Sequence, residues 1–197
     1  QRGNAVAAPD ASRRFHRGLI PKLGGVALFA GFVCAIALAW LLPIERRDAL
    51  EGWRLAGLLI GCAIVFGAGL LDDVRELSAL KQFAAQFAAA AVAIGFGVRI
   101  DELPTPFGAL SLPLWVAVAF TFFWLVGMMN TVNWLDGLDG LAAGVVGIAC
   151  IVLFVHTARL GQESLAVLPL ALLGAIVGFL PYNFNPARIF MGASGPL

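Results

Sequence analysis

Six apolar stretches, at roughly residues 23–42, 53–71, 82–98, 113–130, 141–158 and 165–181, occupy most of this chain, and each approaches the ~20 residues an α-helix needs to cross ~30 Å of hydrocarbon. A backbone inside lipid must satisfy its own hydrogen bonds, which leaves helices and closed barrels as the spanning structures. The alternating ~10-residue segments of a barrel are absent. Composition agrees: 60% of residues are hydrophobic and 13% charged, with a mean hydropathy of +0.91, whereas soluble domains carry about 25% charged residues. The expected fold is therefore all-α, a polytopic membrane bundle of about six transmembrane helices forming one membrane domain over 1–197.

Short polar joints between the runs impose a zigzag, so alternate joints share a side of the membrane. One side takes residues 1–22, "LDDVRELSALK" (71–81), "NTVNWLDGLDG" (130–140) and the tail from 182. The other takes "PIERRDALEGW" (43–53), "VRIDELPTPFGALSLP" (98–113) and "TARLGQES" (157–164). Arg2, Arg13, Arg14, Arg17, Lys22, Arg75, Lys81 and Arg188 lie on the first side, against Arg46, Arg47, Arg54, Arg99 and Arg159 on the second. The positive-inside rule makes the first side cytoplasmic. Trp40, Trp53 and Trp115 fall at run ends on the second side, where an interfacial aromatic belt belongs. The joint 98–113, with Pro104, Pro106, Gly108 and Pro113, reads as a turn-rich loop with room for a hairpin. Gly57/Gly61, Gly140/Gly144 and Gly174/Gly178 have the spacing of close helix packing.

Several classes are set aside. Cys34, Cys62 and Cys150 sit inside apolar runs without paired spacing, which suits buried thiols rather than a disulfide framework or zinc site. A net charge of +1 gives no reason to expect nucleic acid. The first 22 residues are too polar and basic for a cleavable signal peptide. Starting at Gln1 and stopping at Leu197 just after a polar segment, the chain reads as cut at both ends.

The polar residues gather on the cytoplasmic side: Asp72, Asp73, Lys81, Asn130, Asn133, Asp136, Asp139, Asn183, Asn185 and Arg188. Adjacent carboxylates repel one another unless something positive sits between them. If the second helix continues through Asp72 and Asp73, the two point about 100° apart, one toward a metal and the other toward a substrate; as a plain alternative the pair is a solvated interfacial stop. Asn130/Asn133 and Asp136/Asp139 are each three apart and would be neighbours on a helix, unless Gly137 and Gly140 interrupt it. The competing reading makes Asn133 or Asp136 an N-cap for the helix starting at Leu141. "DGLDG" lacks the EF-hand ligand spacing. Oxygen donors without histidine clusters favour a hard cation, and Mg²⁺ is commonly held by one or two carboxylates plus substrate phosphates. Lys81 and Arg188 are candidates to hold phosphate oxygens. His16 is a further candidate, although a lone loop histidine is more often a bystander.

Four ordered segments, "FHRGLIPKLGG" (15–25), "GLLDDVRELSALKQFAAQ" (69–86), "NTVNWLDGLDGLAAGV" (130–145) and "GFLPYNFNPARIFMG" (178–192), resemble the polyprenyl-phosphate N-acetylhexosamine-1-phosphate transferases of glycosyltransferase family 4. "IPKLGG" is more similar to the branch that uses UDP-N-acetylglucosamine than to the muramoyl-pentapeptide branch. The resemblance implies a larger transferase of which this chain is a fragment, in the bacterial inner membrane. Undecaprenyl phosphate would take N-acetylglucosamine-1-phosphate from a UDP-sugar, release UMP and form a lipid-diphosphate sugar for cell-envelope polysaccharide. Mg²⁺, with Mn²⁺ as a substitute, is the implied cofactor, and the lipid bilayer, both substrates and a homodimeric second copy are the implied partners. By motif position Asp72, Asp73, Asp136 and Asp139 are the catalytic set. Asp73 and Asn133 are the metal ligands, and Lys81, Asn130, Asn133, Asn185, Arg188 and His16 contact substrate. Lys81 stands one position from the basic residue of many relatives.

One departure matters. After "FMG" the family carries Asp, a principal Mg²⁺ ligand, where this chain has Ala193 followed by Ser194, Gly195 and Pro196. A methyl group cannot coordinate a cation. The family also has a helix before this chain's start and several after its end. The chain is accordingly expected to be impaired or inactive as it stands. The alternative from another class is a membrane pseudoenzyme or scaffold that keeps the fold without turnover. A secondary transporter would place ionisable residues near the bilayer midplane, where the six runs carry few.

Overall fold

The structure, a computed structural model, describes residues 23–46 and 48–196. His16, with most of the basic residues counted on the cytoplasmic side, lies outside the described residues, as does Arg47. Six helices follow in order: α1 (Gly24–Trp40), α2 (Glu51–Arg75), α3 (Ala79–Gly95), α4 (Leu114–Leu135), α5 (Leu141–Arg159) and α6 (Glu163–Asn183). Between α3 and α4 stands a hairpin of β1 (Glu102–Thr105) and β2 (Gly108–Ser111), antiparallel with Thr105 opposite Gly108. The turn-rich joint thus closes through Pro106 and Phe107. Four helices, α2, α4, α5 and α6, are long and apolar enough to cross a membrane, and α1 and α3 are shorter apolar helices of 17 residues. Six spans is therefore a generous count by length alone.

Helix ends differ instructively from the apolar runs. The run ending near 71 continues as helix to Arg75, and the run ending near 130 continues to Leu135. An apolar run measures hydrocarbon thickness, whereas backbone hydrogen bonding persists a turn further into the polar interface. That extra turn carries Asp72 and Asp73 on α2, and Asn133 on α4, with Asn130 at the end of the run before it.

The interior is built from small residues: Ala89, Ala90, Ala93, Ala117, Ala142 and Ala143 are all buried, while Phe123, Trp134 and Ile148 are exposed. Small-inside, large-outside is the arrangement for a chain whose outer solvent is lipid, where helices gain by close approach rather than by expelling water. α2 lies along α3, α5 along α6, and α1 along α6, with α4 packed more lightly between α3 and α5. Phe29 of α1 stacks on Phe66 of α2 with ring centroids 4.1 Å apart, and Trp53 of α2 stacks on Phe96 at 4.4 Å.

Of the three glycine pairs at spacing four, one serves close packing in full. A Cβ on Gly57 would sit 2.2 Å from the Cβ of Phe96, and one on Gly61 would sit 3.1 Å from the Ala89 carbonyl oxygen. Gly144, Gly174 and Gly178 have nothing within 4 Å of such an atom. Gly57→Val is therefore expected to destabilise the α2–α3 pair by about 2 kcal/mol, the usual size of an overpacking penalty. Gly67→Ala, where a Cβ meets nothing within 4 Å, should be neutral or mildly stabilising. Thermal unfolding of the two variants in detergent measures the contrast.

Candidate active site

Two joints and a tail meet at one end of the bundle. The α6 helix ends at Asn183, itself 2% exposed. Its side-chain oxygen accepts the backbone N–H of Gly140 at 3.1 Å, and its amide donates to the Ile189 carbonyl at 3.1 Å. Asp139 works beside it, its Oδ2 accepting the Ala187 N–H at 3.0 Å and the Asn185 side-chain amide at 3.3 Å. The loop before α5 is thereby fastened to the loop after α6. Gly140 adopts φ 73° as the N-cap of α5, with no side-chain cap. The proposed capping by Asn133 or Asp136 is not realised: Asp136 instead follows α4 as its C-cap residue. Asn130 and Asn133 do share a helix, whereas Asp136 and Asp139 lie in the turn beyond it.

After Asn183 the chain runs back toward α1 and α2. The N–H groups of Gly24 and Gly25, which open α1 and have no helical acceptor, donate to the Phe190 and Met191 carbonyls at 3.0 and 2.8 Å. Asp73 accepts the Ala193 N–H at 3.0 Å and the Ser194 N–H at 3.4 Å. The approach is close: a Cβ on Gly69 would lie 2.4 Å from the Ser194 Cα, and one on Gly25 2.5 Å from the Ser194 hydroxyl. Glycine is needed on both helices for the tail to pass.

Asp72 and Asp73 diverge as adjacent helical positions do. The Asp72 carboxylate accepts the Leu77 N–H at 2.6 Å, and its carbonyl accepts the Glu76 N–H at 2.9 Å. Asp72 therefore ties off α2, which leaves through a left-handed Glu76 at φ 47°, and Asp73 faces the tail. Burial is the main cause pushing the Asp136 carboxyl up to about 6, and the negative charges of Asp139 and Asp73 push it the same way. Carboxylates from α2 and from the α4–α5 loop thus act on one another through a common field.

The remaining sequence-nominated residues separate. Asn130 turns into the bundle, donating to the Gln86 side chain at 2.7 Å and to the Val126 carbonyl at 2.8 Å. Asn133 is half-buried and makes no side-chain hydrogen bond among the described residues. Lys81 and Arg188 are exposed, and neither makes an ion pair among the described residues. Gln86, 1% exposed on α3, is not among the candidates that the sequence motifs pick out. The signal was available: an amide within "FAAQFAAAAVA" must find a partner in lipid, and Asn130 is that partner. The Ala193 and Ser194 amides are invisible to a side-chain reading altogether. Among the described residues no group of three or more His, Cys, Asp and Glu side chains is placed to hold a metal by itself.

Comparison with known proteins decides the family. The model of glycosyl transferase family 4 matches residues 55–197. The chain belongs to that family. It is 34% identical over 194 residues to a probable undecaprenyl-phosphate N-acetylglucosaminyl 1-phosphate transferase of Bacillus subtilis (strain 168), covering 98% of this chain and 52% of the relative. A decaprenyl-phosphate N-acetylglucosaminephosphotransferase of Mycobacterium tuberculosis (strain CDC 1551 / Oshkosh) is 37% identical over 204 residues, covering 98% and 50%. A phospho-N-acetylmuramoyl-pentapeptide-transferase of Desulforudis audaxviator (strain MP104C) is 31% identical over 216 residues, covering 99% and 64%. The chain spans about half the length of the first two. With bacterial relatives and several apolar spanning helices, this glycosyl transferase family 4 chain is a multi-pass protein of the inner membrane.

A folded carboxyl near 6, above the ordinary 3.8, holds a proton that the unfolded chain has already released. Stability contributed by Asp136 is hence lost as pH rises from about 3.8 through 6, and the penalty is complete above that. Asp136→Asn should match the parent's melting temperature near pH 3.5 and exceed it by a few degrees at pH 7.5 without divalent cation. Asn183→Ala should act in the opposite direction at every pH, costing about 2 kcal/mol for two lost buried hydrogen bonds, as read by thermal unfolding and by proteolysis of the 184–190 loop.

Proposed function

We propose that this chain is the membrane core of an enzyme that transfers N-acetylglucosamine-1-phosphate from UDP-N-acetylglucosamine to undecaprenyl phosphate, at the cytoplasmic ends of its helices. An oxygen of the lipid phosphate attacks the sugar-linked phosphorus, the bond from that phosphorus to the UMP oxygen breaks, and UMP leaves with the electron pair. The product is a lipid-diphosphate sugar for cell-envelope polysaccharide. The observation that carries the reading is the shared negative field of Asp73, Asp136 and Asp139 at the mouth of a membrane bundle. The names of its relatives support the general reaction, transfer of a phosphosugar to a polyprenyl phosphate.

The donor set suits Mg²⁺. Burial and two neighbouring carboxylates raise the Asp136 carboxyl, a penalty that a divalent cation offsets, and the available ligands are oxygens. Asp73 and Asn133 would hold the ion, with substrate phosphates completing its shell. When bound, Mg²⁺ supplies neutralisation of the charge that builds on the diphosphate. The protein's own part is positional. Asp73 is oriented by two backbone N–H groups, and Asp139 sets the loop that carries Asp136. Exposed Lys81 and Arg188 are free to meet phosphate oxygens arriving from the cytoplasm.

Ala193 favours a second reading, a pseudoenzyme that retains the fold without turnover. Its amide holds Asp73, but its methyl replaces the carboxylate that the family places there. With Ala193 in place, purified protein, undecaprenyl phosphate, UDP-N-acetylglucosamine and Mg²⁺ should yield no UMP. In the whole protein, Ala193→Asp should raise UMP release by about 10²-fold or more, the scale of one well-placed charge stabiliser, and Asp73→Asn should abolish the gain. Brisk release by the Ala193 protein would overturn the inactivity; silence of the Ala193→Asp protein with UDP-N-acetylglucosamine would overturn the proposed transfer.

A further inference from the structure

The opposite end of the bundle holds a cleft of about 710 Å³, bounded by the C-terminus of α1, the N-terminus of α2, the exit of α3 and the α5–α6 joint. It is remote from the carboxylates: Glu51 and Asp73 begin and nearly end the same helix, a rise of ~33 Å. Its deep wall is apolar, with Ile36, Leu55, Leu58 and Leu168. Its mouth is charged in both signs. Trp40 and Trp53, 44% and 58% exposed beside it, mark the level where a bilayer gives way to water.

Some of the mouth charges are spent on framing the cleft. Arg54 bonds Asp48 at 2.6 Å, and Glu51 accepts the Ser164 hydroxyl at 2.8 Å, tying α2 to α6. Others are not. The Arg46 guanidinium lies 3.7 Å over the Trp40 ring, and its Nε forms a long ion pair with Glu51 at 3.9 Å, beyond hydrogen-bond reach, so the group is held in place with no hydrogen-bond partner among the described residues. Arg99 spends its Nε on Asp101 at 3.2 Å, leaving the other guanidinium donors without a side-chain partner among the described residues. Glu45 and Glu163 line the same cleft and have no ion pair among the described residues.

We infer that this cleft binds the phosphoethanolamine headgroup of a membrane phospholipid, the phosphate on Arg46 and Arg99, the primary ammonium on Glu45 and Glu163, and an acyl chain along the apolar wall. Charge complementarity selects this occupant. A lining of four carboxylates against three guanidiniums among the described residues disfavours a net anionic headgroup such as phosphoglycerol. A trimethylammonium has no N–H to donate to either glutamate. The site stands independently of the transferase reading, because it shares no residue with it.

Native mass spectrometry of the purified protein, offered phosphatidylethanolamine, phosphatidylglycerol and phosphatidylcholine of identical acyl chains at equal concentration, tests the inference. Phosphatidylethanolamine should be retained about tenfold over each competitor, the scale of one charge-assisted hydrogen bond. Glu45→Gln with Glu163→Gln should erase its lead over phosphatidylglycerol, and Arg46→Ala should reduce retention of every phospholipid. Equal retention of the three lipids by the wild-type protein, or a lead for phosphatidylglycerol or phosphatidylcholine, overturns the proposal. So does an unchanged preference in a double variant whose helical circular dichroism matches the parent.

Discussion

The end of this bundle where the polar residues gather is closed by carboxylates that accept backbone N–H groups. Asp73 takes the amides of Ala193 and Ser194, and Asp139 takes that of Ala187, so two acidic side chains on separate elements grip one irregular strand of chain. Irregular backbone near a membrane carries unsatisfied donors, each costing several kcal/mol if left in lipid. Giving those donors to carboxylates solves two problems together. The tail gains partners, and acidic groups that would otherwise repel gain a dipolar environment. Glycines at 25 and 69 are the steric condition for this, since any Cβ there would strike the tail before it reached Asp73.

The same contacts order the site. Asn183 and Asp139 fasten the α4–α5 loop to the α6 exit, which places Asp136 within the field of Asp73 and holds it there without a covalent link. Its raised carboxyl is a cost accepted at that position. A fold selected for stability alone would have no reason to bury a third carboxyl beside two others, which is the physical ground for reading the cluster as functional.

Much of this was legible beforehand. Six apolar runs gave six helices, the alternation of joints gave two ends, and the turn residues of 98–113 gave the hairpin. Hydrogen bonds between Asp139 and Ala187 at one end, and between Glu51 and Ser164 at the other, follow the predicted sides. What sequence could not supply was partner identity. Asn130 and Asn133 look equivalent three residues apart, yet one faces Gln86 inside the bundle and the other stays without a partner among the described residues. Asp72 and Asp73 look like a pair, yet Asp72 serves the end of its own helix. The mixed-charge cleft was missed for a related reason. Its residues come from three separate joints, and no local motif announces that Arg46, Arg99, Glu45 and Glu163 will meet.

Position 193 shows how fold and chemistry come apart. The contact that fixes the tail there is made by a backbone N–H, a group every residue but proline possesses. Replacing an aspartate by alanine at that point leaves the hydrogen bond to Asp73 intact, removes a like charge from a crowded acidic site, and costs the architecture nothing in hydrogen bonding. The fold is consequently blind to the change. The proposed reaction is not, because a cation shared between protein and diphosphate depends on the number of negative oxygens offered to it. A member of this family can thus keep this end of its bundle well ordered while lacking one charge that the proposed chemistry would use, and structural integrity at this site is no measure of turnover.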